Sequence, residues 1–202
     1  MARDVVIVQT GTANTASVMA GLARAGARPI LGATPDEVAG ADRVVLPGVG
    51  AMAAAMRKLE ADEVVGALRT RVAEGRPTLA VCLGLQLLCA TSEESPGTPG
   101  LGLIEAAVAR FPDSVIVPQM GWNRIEPDAG CRYLRPGFAY FANSYRITDV
   151  PEPWRAARAE HGGSFVAAVE RGDVLACQFH PELSGAWGHD LLARWIEGGP
   201  AC

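Results

Sequence analysis

An α/β fold with a mostly parallel sheet is predicted from three observations. Strand and helix signals alternate through the first half of the chain, the strand signals there are continuous apolar runs, and short β-like runs replace the alternation in the second half. Val5–Val8 is an unbroken β-branched run, as expected of a strand covered on both faces. Asn14 stands where a helix N-cap belongs, with Val18, Leu22 and Ala25 at helical spacing and Gly26 as the stop. Strands follow near Arg28–Leu31 and at Arg43–Leu46, helices over Met52–Leu59 and Glu63–Ala73, and a further strand over Pro77–Val81. Strand–helix–strand succession of this kind implies right-handed crossovers. Beyond the loop chemistry of Ser92–Gly100, β-like runs are read at Val115–Val117, Ala139–Ala142, Ser164–Val169 and Val174–Phe179. The closing helix carries Leu191, Leu192, Trp195 and Ile196 on one face and ends at Gly198-Gly199.

The bulk numbers narrow the function classes. A chain of 202 residues, 49% hydrophobic, can bury one good core, so one domain over residues 1–202 is expected. Net charge is −4 with no long run of either sign, and the basic stripe of a nucleic-acid binder is missing. Met1–Val8 is too short and too soon charged for a signal peptide. The longest apolar stretch, Leu79–Ala90, falls well short of the ~20 residues of a membrane span, and Gln86 interrupts it. A cytoplasmic protein without membrane contact is therefore expected, with no metal and no cofactor. Cys82, Cys89, Cys131, Cys177 and Cys202 form no C-x-x-C pair, so in a reducing compartment they are free thiols, most of them buried and inert.

One cysteine stands apart. The apolar strand Pro77–Val81 runs into Cys82, then Gly84, then the helical run Leu85-Gln86-Leu87-Leu88. Such a strand–elbow–helix turn presents a nucleophile at the top of an α/β sheet. The helix N-terminus favours a thiolate, and the Leu83 N–H points where an oxyanion would form. Ala80 stands where the elbow usually has glycine, one methyl larger. Taken alone, Cys82 reads as readily as a buried core cysteine. A thiol nucleophile also needs a base, and the chain has three histidines. His161 sits in the turn His161-Gly162-Gly163, and His189 lies near the start of the last helix, where solvation is expected. His180 follows the apolar run Val174–Phe179, which places it at a strand's carboxyl end, the edge where open α/β sheets carry their sites. Glu182, two residues on, can accept the second imidazole proton and hold the ring.

With Cys82-Leu83-Gly84-Leu85-Gln86 and Gln178-Phe179-His180-Pro181-Glu182 in that order, the sequence resembles the class I glutamine amidotransferases. More narrowly it is similar to the glutaminase subunits of imidazole glycerol phosphate synthases. That likeness rests on Leu46-Pro47-Gly48-Val49-Gly50, Pro118-Gln119-Met120-Gly121-Trp122-Asn123, Tyr140-Phe141-Ala142-Asn143-Ser144-Tyr145, Thr10-Gly11-Thr12-Ala13-Asn14 and Glu182-Leu183-Ser184-Gly185. The resemblance covers essentially the whole chain. It implies a flavodoxin-like α/β fold with a central mixed sheet flanked by helices and extra antiparallel strands in the second half. It also implies a heterodimer with a β/α-barrel cyclase subunit that receives ammonia released here from glutamine, in histidine biosynthesis.

Carried over residue by residue, the resemblance makes Cys82 the nucleophile, His180 the general base and then acid, and Glu182 the orienter. Gly48, Val49 and Gly50 match the loop that completes an oxyanion hole beside the Leu83 amide. Gln86 and Glu94 match positions that hold the α-amino and α-carboxyl ends of glutamine, and the backbone at Ser144 and Tyr145 cradles the carboxylate. Glu94 reads equally as a solvated loop carboxylate, and Trp122 equally as a core tryptophan or an interface residue. The expected docking face comprises Asn14, Trp122, Tyr140, Asn143 and Leu183. The family often has histidine where Gln119 and Asn143 stand and a basic residue where Leu183 stands, near the partner-facing mouth. The same motifs would serve a glutaminase of another synthase, and the same fold would serve a catalytically silent regulatory subunit, against which the intact triad argues. A dinucleotide-binding reading of Gly11-Thr12-Ala13-Asn14 fails on glycine spacing.

Overall fold

The computed structural model describes residues 2–11, 14–32 and 34–199. Met1, Thr12, Ala13 and Cys202, named above, lie outside the described residues. The first half runs β1 (Arg3–Val8), α1 (Thr15–Arg24), β2 (Ala27–Gly32), α2 (Pro35–Gly40), β3 (Val44–Leu46), α3 (Met52–Ala61), α4 (Val65–Ala73), β4 (Thr78–Val81) and α5 (Leu83–Leu88). The second half adds β5 (Cys89–Ser92), β6 (Ile104–Arg110), β7 (Gln119–Pro127), β8 (Gly137–Asn143), β9 (Tyr145–Arg146), β10 (Arg155–Glu160), β11 (Ser164–Arg171) and β12 (Val174–Cys177). A 3-10 turn (Pro181–Leu183) and α6 (Gly185–Glu197) close the chain.

The central sheet is mixed, with strand order β2-β1-β3-β4-β12-β11-β10-β7-β8. Pairings from β2 to β12 are parallel and those from β12 to β8 antiparallel. A small second sheet, β5-β6-β9, sits beside it. Strand alternation divides the core between the two faces. Val5, Ile7, Val45, Leu79, Val81 and Leu175 pack with Val18 and Leu22 of α1 and Leu191, Trp195 and Ile196 of α6. Val44, Leu46, Ala80, Val174 and Ala176 pack on the other side with Met52, Met56 and Leu59 of α3 and Leu68 and Val72 of α4.

Local chemistry fixes the element ends. Asn14 caps α1 by accepting the Ser17 N–H (3.3 Å). Gly198, at φ 99°, is the left-handed residue that ends α6. Helix α2 lies outside the elements expected from sequence, although Thr34-Pro35-Asp36-Glu37 spells a capping box and both of its reciprocal bonds form. The expected helix at Glu63 starts instead at Val65, because Glu63 turns the chain at φ 58°. Val115–Val117 is a bend and not a strand: it lies between Pro112 and Pro118, and the Val115 N–H donates to the Pro112 carbonyl. Val115 and Val117 still pack against the core. No described helix is long and apolar enough to cross a membrane.

Candidate active site

Insertion of β12 beside β4 builds the site. The two strands pair in parallel, Cys177 opposite Val81, so the residues just beyond them, Cys82 and Gln178, emerge side by side at the sheet's carboxyl edge. The Cys82 N–H donates to the Cys177 carbonyl at 2.7 Å, tying the two ends together. Cys82 adopts φ 55°, ψ −109°, a sparsely populated conformation that aims its side chain off the strand. The turn also demands Gly84, since a Cβ there would lie 2.0 Å from the Leu46 carbonyl oxygen. Alanine at position 80 is accommodated within the core.

His180 hydrogen-bonds Cys82 and, through Nδ1, Glu182 Oε1 at 2.9 Å. All three side chains are largely buried. Burial opposes charge on the imidazole, but the hydrogen bonds and charges of Cys82 and Glu182 outweigh it and raise His180 to about 10. Thiol, imidazole and carboxylate thus stand in a row, with the imidazole favoured in its protonated form. Three supports hold the histidine. Its N–H donates to the Tyr140 carbonyl (2.9 Å), its carbonyl accepts the Ser184 hydroxyl (2.6 Å), and Ser184 Oγ in turn accepts the Tyr140 N–H (2.9 Å). Glu182 sits against α1 where a Cβ on Gly21 would come within 2.7 Å of its own Cβ, and the Gly188 face of α6 approaches the Pro181 carbonyl as closely.

A cavity of about 340 Å³ opens over the thiol, lined by Val49, Gly50, Cys82, Leu83, Gln86, Glu94, Ala142, Asn143, Ser144, Tyr145 and His180. Glu94 is thus a wall residue. Burial raises its pKa, and the Met52 N–H at the start of α3 partly offsets this by donating to its carboxylate. Gln86 donates through Nε2 to Gln178 Oε1 (2.9 Å), and Gln178 Nε2 points to Cys82 Sγ (3.7 Å). The Leu83 N–H, which follows the nucleophile, donates to the Gly48 carbonyl at 3.2 Å. The Gly48-Val49-Gly50 loop therefore presents an acceptor at this amide.

Trp122 is 57% exposed and stacks edge-on against Tyr140, its cross-strand neighbour. Met120, Phe138 and Leu183 are exposed as well. Asn143 departs from the docking face expected of it. Strand alternation turns Phe138 and Tyr140 outward and Ala139, Phe141 and Asn143 inward, so Asn143 is buried in the cavity wall, donating to the Tyr145 carbonyl at 2.9 Å. Gln119, its cross-strand partner, is buried too. Asn14 lines a small recess with Gly48, Val49, His180 and Glu182. The remaining histidines lie elsewhere: His161 packs edge-on against Phe111 and meets the Ile116 carbonyl through Nε2 (2.9 Å), and His189 is exposed on α6. Cys89 and Cys131 are pushed up to about 12 by burial, and burial raises Cys177 as well. Gln178, Ser184, Gly21 and Gly188 were not singled out from sequence. Gln178 directly follows β12, as Cys82 follows the paired β4, and that placement is a feature of the fold.

A thiol, an imidazole and a carboxylate in a hydrogen-bonded row, on an elbow at the carboxyl edge of a mixed α/β sheet, define a class. The sequence profile of glutamine amidotransferase class-I matches residues 11–197, and this chain belongs to that family. It is 42% identical over 199 residues to the imidazole glycerol phosphate synthase subunit HisH of Symbiobacterium thermophilum, covering 96% of this chain and 93% of that protein. Against subunit HisH of Escherichia coli it is 40% identical over 199 residues, covering 96% and 99%. A crystal structure of a glutamine amidotransferase matches with a TM-score of 0.76 at 22% identity, over 95% of this chain and 97% of the other, a likeness of fold.

Proposed function

We propose that this chain is the glutaminase subunit of an imidazole glycerol phosphate synthase, hydrolysing glutamine to glutamate and ammonia and passing the ammonia to a cyclase subunit. The observation that carries the reading is the row Cys82–His180–Glu182 opening on one cavity. Identity of 40–42% to subunits of that name supports the choice of synthase.

The Cys82 thiolate attacks the side-chain amide carbon of glutamine. As the C–N bond breaks, His180 gives its proton to the leaving nitrogen, ammonia departs, and a γ-glutamyl thioester remains. Neutral His180 then takes a proton from water, the resulting hydroxide adds to the thioester carbon, and glutamate leaves as the thiolate re-forms. Glu182 holds the ring and stabilises its charged form. In the cavity, Gln86 Oε1 and the Glu94 carboxylate suit the substrate's α-ammonium group, and backbone N–H groups near Ser144 and Tyr145 suit its α-carboxylate.

Both steps pass through an oxyanion, which needs donors. The Leu83 N–H is the natural one, and its bond to the Gly48 carbonyl keeps it occupied. Rotation of the Gly48-Val49-Gly50 backbone frees that amide and turns an N–H inward, and the glycines permit the change. Docking of the cyclase on the exposed face of Met120, Trp122, Phe138, Tyr140 and Leu183, with Asn14 at its margin, favours the rotated loop. The test is glutamate and ammonia release by the purified chain, with and without a cyclase partner. Absence of glutamine turnover in both states overturns the proposal.

A further inference from the structure

Gln178 is fully buried, 1% exposed, in a part of the core where an amide must be satisfied by protein groups. Its two ends reach different functional groups: Oε1 accepts from Gln86 Nε2 at 2.9 Å, and Nε2 lies 3.7 Å from Cys82 Sγ, within reach of a hydrogen bond to sulfur. The Cys82–His180–Glu182 row does not involve it. We infer that Gln178 is a further catalytic residue, whose side-chain amide donates a hydrogen bond to the Cys82 thiolate and is held in donating polarity by Gln86.

The polarity follows from elementary donor and acceptor rules. A thiolate only accepts, so the group facing it must be the amide NH₂ and not the carbonyl. Once Nε2 faces sulfur, Oε1 faces Gln86, and only the NH₂ of Gln86 can satisfy it. Turning Gln178 over would set carbonyl against thiolate and NH₂ against NH₂, both repulsive. Gln86, itself buried, also lines the cavity. A row of two amides therefore runs from the substrate-facing wall to the sulfur, all of its dipoles pointing the same way. In this buried setting a donor to an ion favours the ionised form. His180 supplies the proton balance on one side of the sulfur, while Gln178 stabilises the anion from another.

The inference rests on Cys82 being the nucleophile of the proposed reaction, and its test does not need glutamine. The measurement is the rate of Cys82 alkylation by iodoacetamide as a function of pH, read by mass spectrometry on the full purified chain, for wild type, Gln178→Leu and Gln178→Glu. The inflection of that profile marks thiolate formation. Gln178→Leu is expected to move it up by about one pH unit, slowing alkylation at neutral pH by ~tenfold, and Gln178→Glu, which sets a carboxylate against the sulfur, by more. A Gln86→Leu variant, which leaves Gln178 in place without its anchor, shifts it in the same direction by less. It also keeps the question open to measurement if the Gln178 variants fail to fold. Loss of thermal stability with an unmoved inflection in the folded variants overturns the inference and makes Gln178 a packing residue. If glutamine turnover is absent while the inflection shifts as expected, the glutaminase reading fails and with it the catalytic role, and Gln178 is left as a donor to the Cys82 sulfur alone.

Discussion

Docking of a cyclase partner is expected to raise glutamine turnover by this chain about a hundredfold or more. In the resting structure the Leu83 N–H is spent on the Gly48 carbonyl, 3.2 Å away. Breaking that bond costs roughly 1 kcal/mol. The donor it releases is worth roughly 3–4 kcal/mol at an oxyanion. While the loop rests, the transition state forgoes that donor, and a hundredfold rise on docking requires the resting loop to be preferred by about 3 kcal/mol, of which the Gly48–Leu83 bond is one part and all of which docking offsets. The assay is steady-state glutamate formation by the isolated chain, then with cyclase, then with cyclase and its nucleotide ligand. Alkylation of Cys82 is followed in parallel, because displacement of iodide by the sulfur forms no oxyanion and needs no donor from the loop. Turnover should climb at each addition while the alkylation rate stays level. An isolated chain already at its full rate would show that the Gly48 carbonyl does not restrain the site, and the reasoning would be wrong.

Further outcomes follow from the same geometry. Cys82→Ala should abolish glutamine hydrolysis with the fold intact, whereas alanine at Cys89 or Cys177 should lower thermal stability and leave the chemistry unchanged, since both are buried and their thiols are raised. As pH rises through about 10, His180 loses its proton and with it the general acid, so turnover should fall on an alkaline limb there. Glu182→Gln removes an anion that holds His180 up, so it should draw that limb to lower pH and cost ~10- to 10⁴-fold in turnover; an unmoved limb in a pH–rate profile counts against the pair. Gly84→Ala should destabilise by ~3 kcal/mol or more in denaturant titrations, because its methyl would meet the Leu46 carbonyl at 2.0 Å, while Gly66→Ala, with open space around it, should be neutral or slightly stabilising. Trp122→Ala should weaken cyclase binding in calorimetry without altering the Cys82 alkylation rate.

The parallel half of the sheet and the catalytic row were legible because each has a strong local signature. Apolar runs ending in Cys82 and before His180 set both residues at strand ends, and β12 pairing with β4 then brings them together. What the sequence withheld was long-range. Nothing local to Cys89–Ser92 or Ile104–Arg110 says that these segments pair with each other, since their partner is supplied by the fold. Val115–Val117 carried the β-branched composition of a strand but no edge to join, and proline on either side decided the matter. Asn143 faces inward on β8 and Tyr140 outward, a separation that the period of two makes and that a motif taken as a block conceals. Nothing near Gln178 in the sequence indicates its role, since its contacts span 92 and 96 residues. Glu94 could not be told from a solvated carboxylate until the Met52 amide and the cavity placed it.

The peptide of Tyr140 has a bearing on how such a surface can change over time. Its ring is stacked on Trp122 at the exposed face, while its carbonyl receives the His180 N–H and its N–H goes to the same serine hydroxyl that holds the His180 carbonyl. Side chains on that face can be exchanged, whether by drift or by a designer seeking a new partner, at little risk to the chemistry. An insertion or deletion in β8 is another matter: it would reverse the facing of every later side chain in the strand and dislodge the histidine in the same stroke. Retargeting this glutaminase is therefore a problem of substitution within a fixed strand register, and libraries that vary the length of Gly137–Asn143 by one residue should return destabilised, silent proteins, since Phe141 would leave the core.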